Sequence, residues 1–373
     1  MLRLVLFLLA GALCVPAVAA QVPTSADQLP AGADQPPKSA DQPPAGADPS
    51  SAAARDFDGV SARRPVATYS IVARESTTGR MGVAVQSHWF SVGSVVPFAE
   101  AGVGAVATQS FVDPRYGPLG LELMRYGRTA DEALTALTTT DDGRAVRQVA
   151  MVDADGRVAV HTGADAVQEA GHRAGAQYSV QANMMERATV WDAMAEAYEG
   201  ADGDLADRLL AALEAAQAEG GDIRGKQSAA IIVVRAEPTG RRWDDRLFDL
   251  RVEDHETPVE ELKRLVRLKR AYRTLSEGDE HVTQGDIRAA MESYRRAFDL
   301  VPDAATEGEA PFWVGVTLAS EGRVDDAVPY LRRAYAQNEQ WATLITRLPE
   351  AGLLPGTDLA ERLTEAMASA GDE

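Results

Sequence analysis

Residues 68–87 constrain this chain more than any other stretch. Thr68-Tyr69-Ser70-Ile71-Val72-Ala73 and Gly82-Val83-Ala84-Val85-Gln86-Ser87 are two runs of strand-forming residues joined by one short polar turn. Such runs close into a hairpin. The hairpin commits the domain to a β-rich core and sets a hydroxyl residue, Thr68, at the head of its first strand. Strands and helices then alternate to about His255. Gly102 to Ser110 reads as a buried strand. Thr129 to Glu132 forms a capping box, with Leu134 and Leu137 on the face of the helix that follows. Val149 to Asp153 and Arg157 to His161 make a hairpin over Asp153-Ala154-Asp155-Gly156, and Tyr178 to Ala182 is a further strand. Leu205, Leu209, Leu210 and Leu213 form a helical stripe, stopped by Gly220-Gly221. Ser228 to Val234 is apolar enough to be covered on both faces, and Leu247 to Val252 alternates. This order favours an α+β fold of stacked antiparallel sheets covered by helices over a doubly wound parallel sheet.

A second, all-α module of helical hairpins follows. Thr257-Pro258-Val259-Glu260 carries the signature of a helix start, with a cap, Pro in the first turn and Glu closing the box. Gly278, Gly285, Ala290, Tyr294, Ala297 and Pro302 are answered 37 residues later by Gly315, Gly322, Ala327, Leu331, Ala334 and Glu339. The small residues let two helices approach, and the larger ones fill the space between hairpins. The pattern resembles tetratricopeptide repeats, whose period is about 34 residues. The expected divisions are a connecting helix over 257–273, helical repeats over 274–356 and a tail over 357–373.

The N-terminus reads as a targeting segment, residues 1–20. Arg3 precedes the apolar run Leu4 to Leu13, and Val18-Ala19-Ala20 offers small residues for cleavage before Gln21. Secretion, with a periplasmic or cell-envelope location, is the expectation. Gly11-Ala12-Leu13-Cys14 faintly resembles a lipoprotein box, so a lipid anchor at Cys14 is the alternative and the one membrane link expected. Cys14 is the only cysteine, and its loss with the leader would exclude disulfides and a Cys nucleophile together. Residues 21–65 form a spacer in which Ser25-Ala26-Asp27-Gln28 returns at Ser39-Ala40-Asp41-Gln42; such a composition is expected to stay disordered. The domain proper is placed at 66–256. A net charge of −19 argues against nucleic acid and anionic membranes as partners.

Several motifs occur in order: Thr68 to Arg74, Gly82 to Val85, Ala101 to Gln109, Tyr116-Gly117-Pro118 and Gln227-Ser228-Ala229-Ala230. Together, over about Ala67 to Val266, the chain resembles the bacterial family catalogued as domain of unknown function 1028. That family is grouped with the N-terminal nucleophile hydrolases. The resemblance implies a four-layer αββα sandwich and an amidohydrolase of unassigned substrate, with a cell-wall peptide or an acylated small molecule as the expected kinds. Some relatives carry a C-terminal extension suspected of binding peptidoglycan, which the repeats parallel.

In chemical terms, Thr68 can act as such a nucleophile only once the bond from Ala67 is cut, when its own amine serves as base. Asn183, after the strand that ends near Ala182, is a candidate donor to the oxyanion. Hydrolases of this class often place a Lys beside the nucleophile. Lys226 is the only one in the domain, with Arg74 and His88 as substitutes. Ser70 and Ser87 are the other hydroxyl candidates. Ser87, Gln109, Asp113 and Tyr116 are assigned to substrate binding, the last two because Asp113-Pro114-Arg115-Tyr116-Gly117-Pro118 is a polar loop of the kind that meets ligands. His88, His161, His172 and His255 lack metal-ligand spacing, and no cofactor or metal is expected. The opposing reading keeps the sandwich without catalysis, as a binding protein whose repeats recruit a protein or wall fragment.

Overall fold

The computed structural model describes Val66 and residues 68–369; the leader, Cys14 and the spacer lie outside the described residues. The β-rich part runs β1 (Thr68–Arg74), β2 (Met81–Ser87), β3 (Pro97–Glu100), β4 (Gly104–Ser110), α1 (Tyr116–Arg125), α2 (Ala130–Thr140), β5 (Arg147–Asp153), β6 (Val158–Thr162), β7 (Gly171–Gly175), β8 (Tyr178–Asn183), α3 (Val190–Gly200), α4 (Leu205–Ala218), β9 (Ser228–Val234), α5 (Arg242–Asp245) and β10 (Arg246–Val252). All pairings are antiparallel, in a six-stranded sheet ordered β10-β9-β2-β1-β8-β7 and a four-stranded sheet ordered β3-β4-β5-β6. β1, the first strand of the chain's opening hairpin, sits at the middle of the larger sheet. Strands β3 and β7 are short, and neither carries an alternating apolar run that would announce it in the sequence.

Alternation sorts each strand's residues between two faces. Val72, Val83, Val85, Ala105, Ala107, Ala150, Val152, Ala230 and Ile232 meet in an apolar cluster between the sheets. Their neighbours Tyr69, Ile71, Ala84, Val180 and Ile231 face the other way, onto Met194, Leu209 and Leu213 of α3 and α4. On the outside of the smaller sheet, Val106, Val149 and Met151 pack against Tyr116, Leu121 and Leu134 of α1 and α2. The capping box at the start of α2 forms as its spacing predicts: Thr129 Oγ1 accepts from the Glu132 N–H, and Glu132 accepts from the Thr129 N–H. Asp153 fixes its hairpin turn by accepting from the N–H groups of Asp155 and Arg157, and its other oxygen accepts from the Ala130 N–H at the head of α2.

The helical region consists of α6 (Pro258–Thr283), α7 (Ile287–Leu300), α8 (Glu309–Ser320), α9 (Val324–Gln337), α10 (Gln340–Ile345) and α11 (Thr357–Ala368). Three features differ from the expected divisions. The connecting helix and the first helix of the repeats are one 26-residue helix, α6. Its first turns bring Val259, Leu262 and Val266 to the β-sheet core, and its last bring Leu275 and Val282 to the helical core. The supposed tail contains α11, which buries Ala360, Leu363 and Met367. The capping box at Thr257 does not form. Pro258 stands in the first turn, but the Thr257 N–H is turned onto His255 Nδ1 at 3.0 Å and its hydroxyl caps nothing. Among the described residues no helix is long and apolar enough to cross a membrane.

The spacing of 37 residues has a physical counterpart. A Cβ on Gly278 would stand 2.3 Å from the Tyr294 ring, and one on Gly315 would stand 2.5 Å from Leu331. Each glycine thus lets the second helix of its hairpin close on the first. Tyr294 is fully buried and its hydroxyl donates to Asp279 Oδ1 at 2.8 Å, so the ring has nowhere to move. Gly278→Val is therefore expected to destabilise the helical region by about 1–3 kcal/mol, the usual range for overpacking. Chemical denaturation reads this directly; a variant as stable as the parent would show that the hairpin is looser than described.

Candidate active site

At one end of the sandwich the inward-facing residues stop being apolar. In the large sheet Thr68 stands opposite Ser87 on one side and Asn183 on the other, and Ser87 stands opposite Ser228. These four make one polar rung across β9, β2, β1 and β8, and all four are fully buried. One rung deeper, Ser70 stands opposite Gln181. From the facing sheet, Gln109 of β4 and Gln148 of β5 reach across on the faces of their strands that carry Ala107 and Ala150.

The side chains form one network. Ser70 Oγ donates to Gln109 Oε1 at 2.6 Å and accepts from Gln181 Nε2 at 2.6 Å. Gln109 Nε2 donates to Gln148 Oε1 at 2.7 Å and to the Thr68 carbonyl at 3.2 Å. Asn183 Nδ2 also donates to Gln148 Oε1, at 3.1 Å, and lies 3.4 Å from the Thr68 carbonyl. Gln148 Nε2 in turn donates to the Ala182 carbonyl at 2.9 Å and to Thr162 Oγ1 at 2.9 Å. Two amide side chains, Gln109 from the smaller sheet and Asn183 from the larger, thus hold the Thr68 carbonyl, and Gln148 braces both of them. A buried amide left unpaired costs about 1–3 kcal/mol, so such a network is rigid where it is satisfied.

It is not satisfied everywhere. Asn183 Oδ1 and Ser110 Oγ are buried with no hydrogen-bond partner. Ser110 and Met184, each directly after a network residue, hold left-handed backbone at φ 70° and 57°. For non-glycine residues that conformation costs on the order of 1–3 kcal/mol, and it gathers at functional sites. Val66 closes the end of the site. It forms an antiparallel bridge with Ser110, with N–H to carbonyl distances of 2.6 Å and 3.2 Å, and its carbonyl also accepts from Thr68 Oγ1 at 2.8 Å.

The sequence model of a family of unknown function, DUF1028, matches residues 68–262, beginning at Thr68 itself. The chain belongs to that family. A crystal structure of protein SPO2555 from Silicibacter pomeroyi, also matched to DUF1028, is 30% identical to this chain, over 53% of this chain and 84% of that one, with a TM-score of 0.48. No curated protein matches the chain.

Within the DUF1028 domain, Thr68, Ser87, Gln109 and Asn183 come together at the polar end of the sandwich. Lys226 lies two residues before Ser228, half-buried, in the loop whose Lys226 carbonyl accepts from His88 Nδ1 at 3.3 Å. Ser228 serves that loop from the other side: its Oγ accepts from the Val92 N–H at 3.0 Å and donates to the Trp89 carbonyl at 2.5 Å. Arg74 ends β1 at the far end of the strand from Thr68. Asp113 and Tyr116 are engaged elsewhere. Asp113 binds Arg115 Nε at 3.0 Å, and the Tyr116 hydroxyl donates to Asp141 Oδ2 at 3.0 Å, beside the buried Arg147. His172 and His161 are on neighbouring strands; burial, then the charge of His161, lowers the His172 pKa. Among the described residues no group of three or more His, Cys, Asp or Glu could hold a metal ion.

Gln148 and Gln181 join the site without any motif that marks them in the sequence. Gln181 belongs to an alternating strand, Tyr178-Ser179-Val180-Gln181-Ala182-Asn183, whose polar positions share one inward face, whereas Gln148 stands at the head of the continuous apolar run of β5 and has no such pattern. An inward-facing amide needs partners from across the core, and the partners are other amides in distant strands.

Proposed function

We propose that the DUF1028 domain is a self-processing amidohydrolase of the N-terminal nucleophile type, exported by residues 1–20, with Thr68 as its nucleophile. One observation carries this reading. Thr68 heads the central strand of the larger sheet, wholly buried, with its carbonyl held by side-chain amides from both sheets. An ordinary strand opener needs no such grip. Two antiparallel sheets packed face to face, with helices on the outer faces, are also what an αββα hydrolase of this class requires.

In the uncut chain Thr68 Oγ leaves the Val66 carbonyl and adds to the carbonyl carbon of Ala67. The C–N bond breaks, the α-amine of Thr68 takes the proton, and an ester joins Ala67 to Thr68 Oγ. Water hydrolyses that ester and releases the carboxylate. The freed amine is then the base for turnover: it takes the hydroxyl proton as Oγ attacks a substrate amide and passes it to the leaving amine, and water then hydrolyses the acyl ester on Oγ to release the acid and restore the hydroxyl. Asn183 Oδ1, buried and unpartnered on the strand position facing Thr68, is an acceptor suited to that new amine. Asn183 and Gln109 are positioning residues, since their amides hold Thr68 rather than a substrate atom.

The test is the intact mass and N-terminal sequence of the full chain expressed with export. A fragment beginning at Thr68 is expected. A protein that begins at Gln21 and stays whole after long incubation would end this mechanism. The second reading, a non-catalytic extracytoplasmic binding protein, draws on the helical hairpins of α6 to α9. It predicts the whole protein and a tetratricopeptide-like module that captures a protein or wall fragment.

A further inference from the structure

We infer that the place held by Val66 is the acyl-side subsite of the enzyme, shaped for an extended peptidyl substrate with a β-branched apolar side chain two residues before the cleaved bond. The inference rests on the Thr68 reading. If Thr68 cleaves its own chain, the residues before it are the first acyl group that the site handles. Whatever holds Val66 then holds the corresponding part of a substrate.

The holding is specific in three ways. Val66 is fully buried in the apolar cluster between the sheets, together with Val92, Val96 and Val112. It docks by both backbone groups, its N–H donating to the Ser110 carbonyl and its carbonyl accepting from the Ser110 N–H. This is the way an added strand binds a sheet edge, with backbone bonds giving affinity and a side-chain pocket giving selection. Ser110 is held at φ 70°, in the left-handed region that a serine rarely adopts.

Hydrolysis before Thr68 makes Val66 part of a separate product. When that product leaves, the N–H and carbonyl of Ser110 lose their partners at the end of a buried rung. Buried backbone groups are paired in native proteins, by water if by nothing else. A second strand is the group that restores both bonds at once. Ser110 Oγ is also buried without a partner. The rung and its facing amides are neutral: Ser228, Ser87, Thr68, Asn183, Gln109 and Gln148. A carboxylate in the Val66 position would lose its water to the apolar cluster of Val92, Val96 and Val112, which is unfavourable. A glycine there would leave the apolar pocket empty.

The experiment uses the full chain after processing, with the fragment beginning at Thr68 verified by mass. The kcat/KM is measured for the p-nitroanilides of N-acetyl-Val-Ala, N-acetyl-Gly-Ala and N-acetyl-Asp-Ala. The Val compound is expected to exceed the Gly compound by about 10-fold or more, the usual range for filling an apolar pocket. It is expected to exceed the Asp compound by about 100-fold or more. A processed chain that cleaves all three equally, or leaves the Val compound intact, overturns the subsite assignment while Thr68 processing stands. A chain that never releases the Thr68 fragment overturns the Thr68 reading itself, and the subsite with it.

Discussion

Thr68→Ala is expected to abolish the fragment that begins at residue 68 and to lower amide hydrolysis by at least about 10³-fold, the scale on which removal of a nucleophile acts. The fold should survive. The substitution removes one hydrogen bond, from Thr68 Oγ1 to the Val66 carbonyl, and that carbonyl keeps its bond from the Ser110 N–H. The lost hydrogen bond and methyl together cost about 1–2 kcal/mol. The fixed carbonyl of Thr68, bound by Gln109 and close to Asn183, is untouched because it belongs to the backbone. Loss of chemistry with retained stability is therefore the signature. Thr68→Ser supplies the control: it keeps the hydroxyl and should still process, more slowly. Intact mass against time for the three proteins, with melting curves alongside, reads both quantities. Processing by the Ala variant at the parent rate would show that Thr68 is not the nucleophile.

The sequence makes this residue conspicuous, though it does not show how it is held. The hairpin of β1 and β2 is legible because its two runs are local, apolar and close together. The long apolar strand β9 and the leucine stripe of α4 are legible for the same reason. The 37-residue spacing is legible because Gly278 and Gly315 must be small where a helix crosses. The polar rung is not legible as a unit. Thr68 and Ser87 share the first hairpin, but Asn183 and Ser228 come from strands more distant in the chain, and only strand order and register bring all four side by side. Gln148 carries no local signature at all; its role exists only once β5 lies across from β8. The loop at Asp113 to Pro118 is the converse case. Its polar residues suggest a ligand, but Asp113 and Tyr116 are bound to protein partners around a buried arginine whose demands the local sequence does not reveal.

That arginine carries the second large expected effect. Arg147 opens β5 with its side chain only 1% exposed. Its Nε donates to Asp141 Oδ2 at 2.9 Å, one Nη donates to the Phe111 carbonyl, and the other lies 3.9 Å from Asp113 Oδ2. It therefore ties the segment after Ser110, the Asp113 loop and the end of α2 to the edge of the candidate site. Arg147→Met keeps the length of the side chain and removes the charge, leaving Asp141 at 14% and Asp113 at 9% exposure without it. Breaking a buried pair from one side costs about 3 kcal/mol or more, because the remaining charge stays desolvated. The pH dependence follows from the two carboxylates. Burial pushes the pKa of Asp141 up, but hydrogen bonds from Arg147 and the Gly143 N–H and the charge of Arg147 outweigh it, and the net shift is downward. For Asp113, burial is likewise outweighed, chiefly by Arg115 and in part by Arg147. Carboxylates lowered in the folded state stabilise it above their unfolded pKa near 4 and lose that contribution as the pH falls through their folded values. The parent should therefore weaken as the pH drops below about 4. The variant keeps the part supplied by Arg115 and the Gly143 N–H but lacks the part supplied by Arg147, and a protonated Asp141 no longer needs a cation. The gap between the two proteins should be widest near neutral pH and should narrow by pH 3. Urea unfolding at both pH values measures it, and a gap that is small at neutral pH or unchanged at pH 3 would remove Arg147 from its place as the electrostatic anchor of this end of the sandwich.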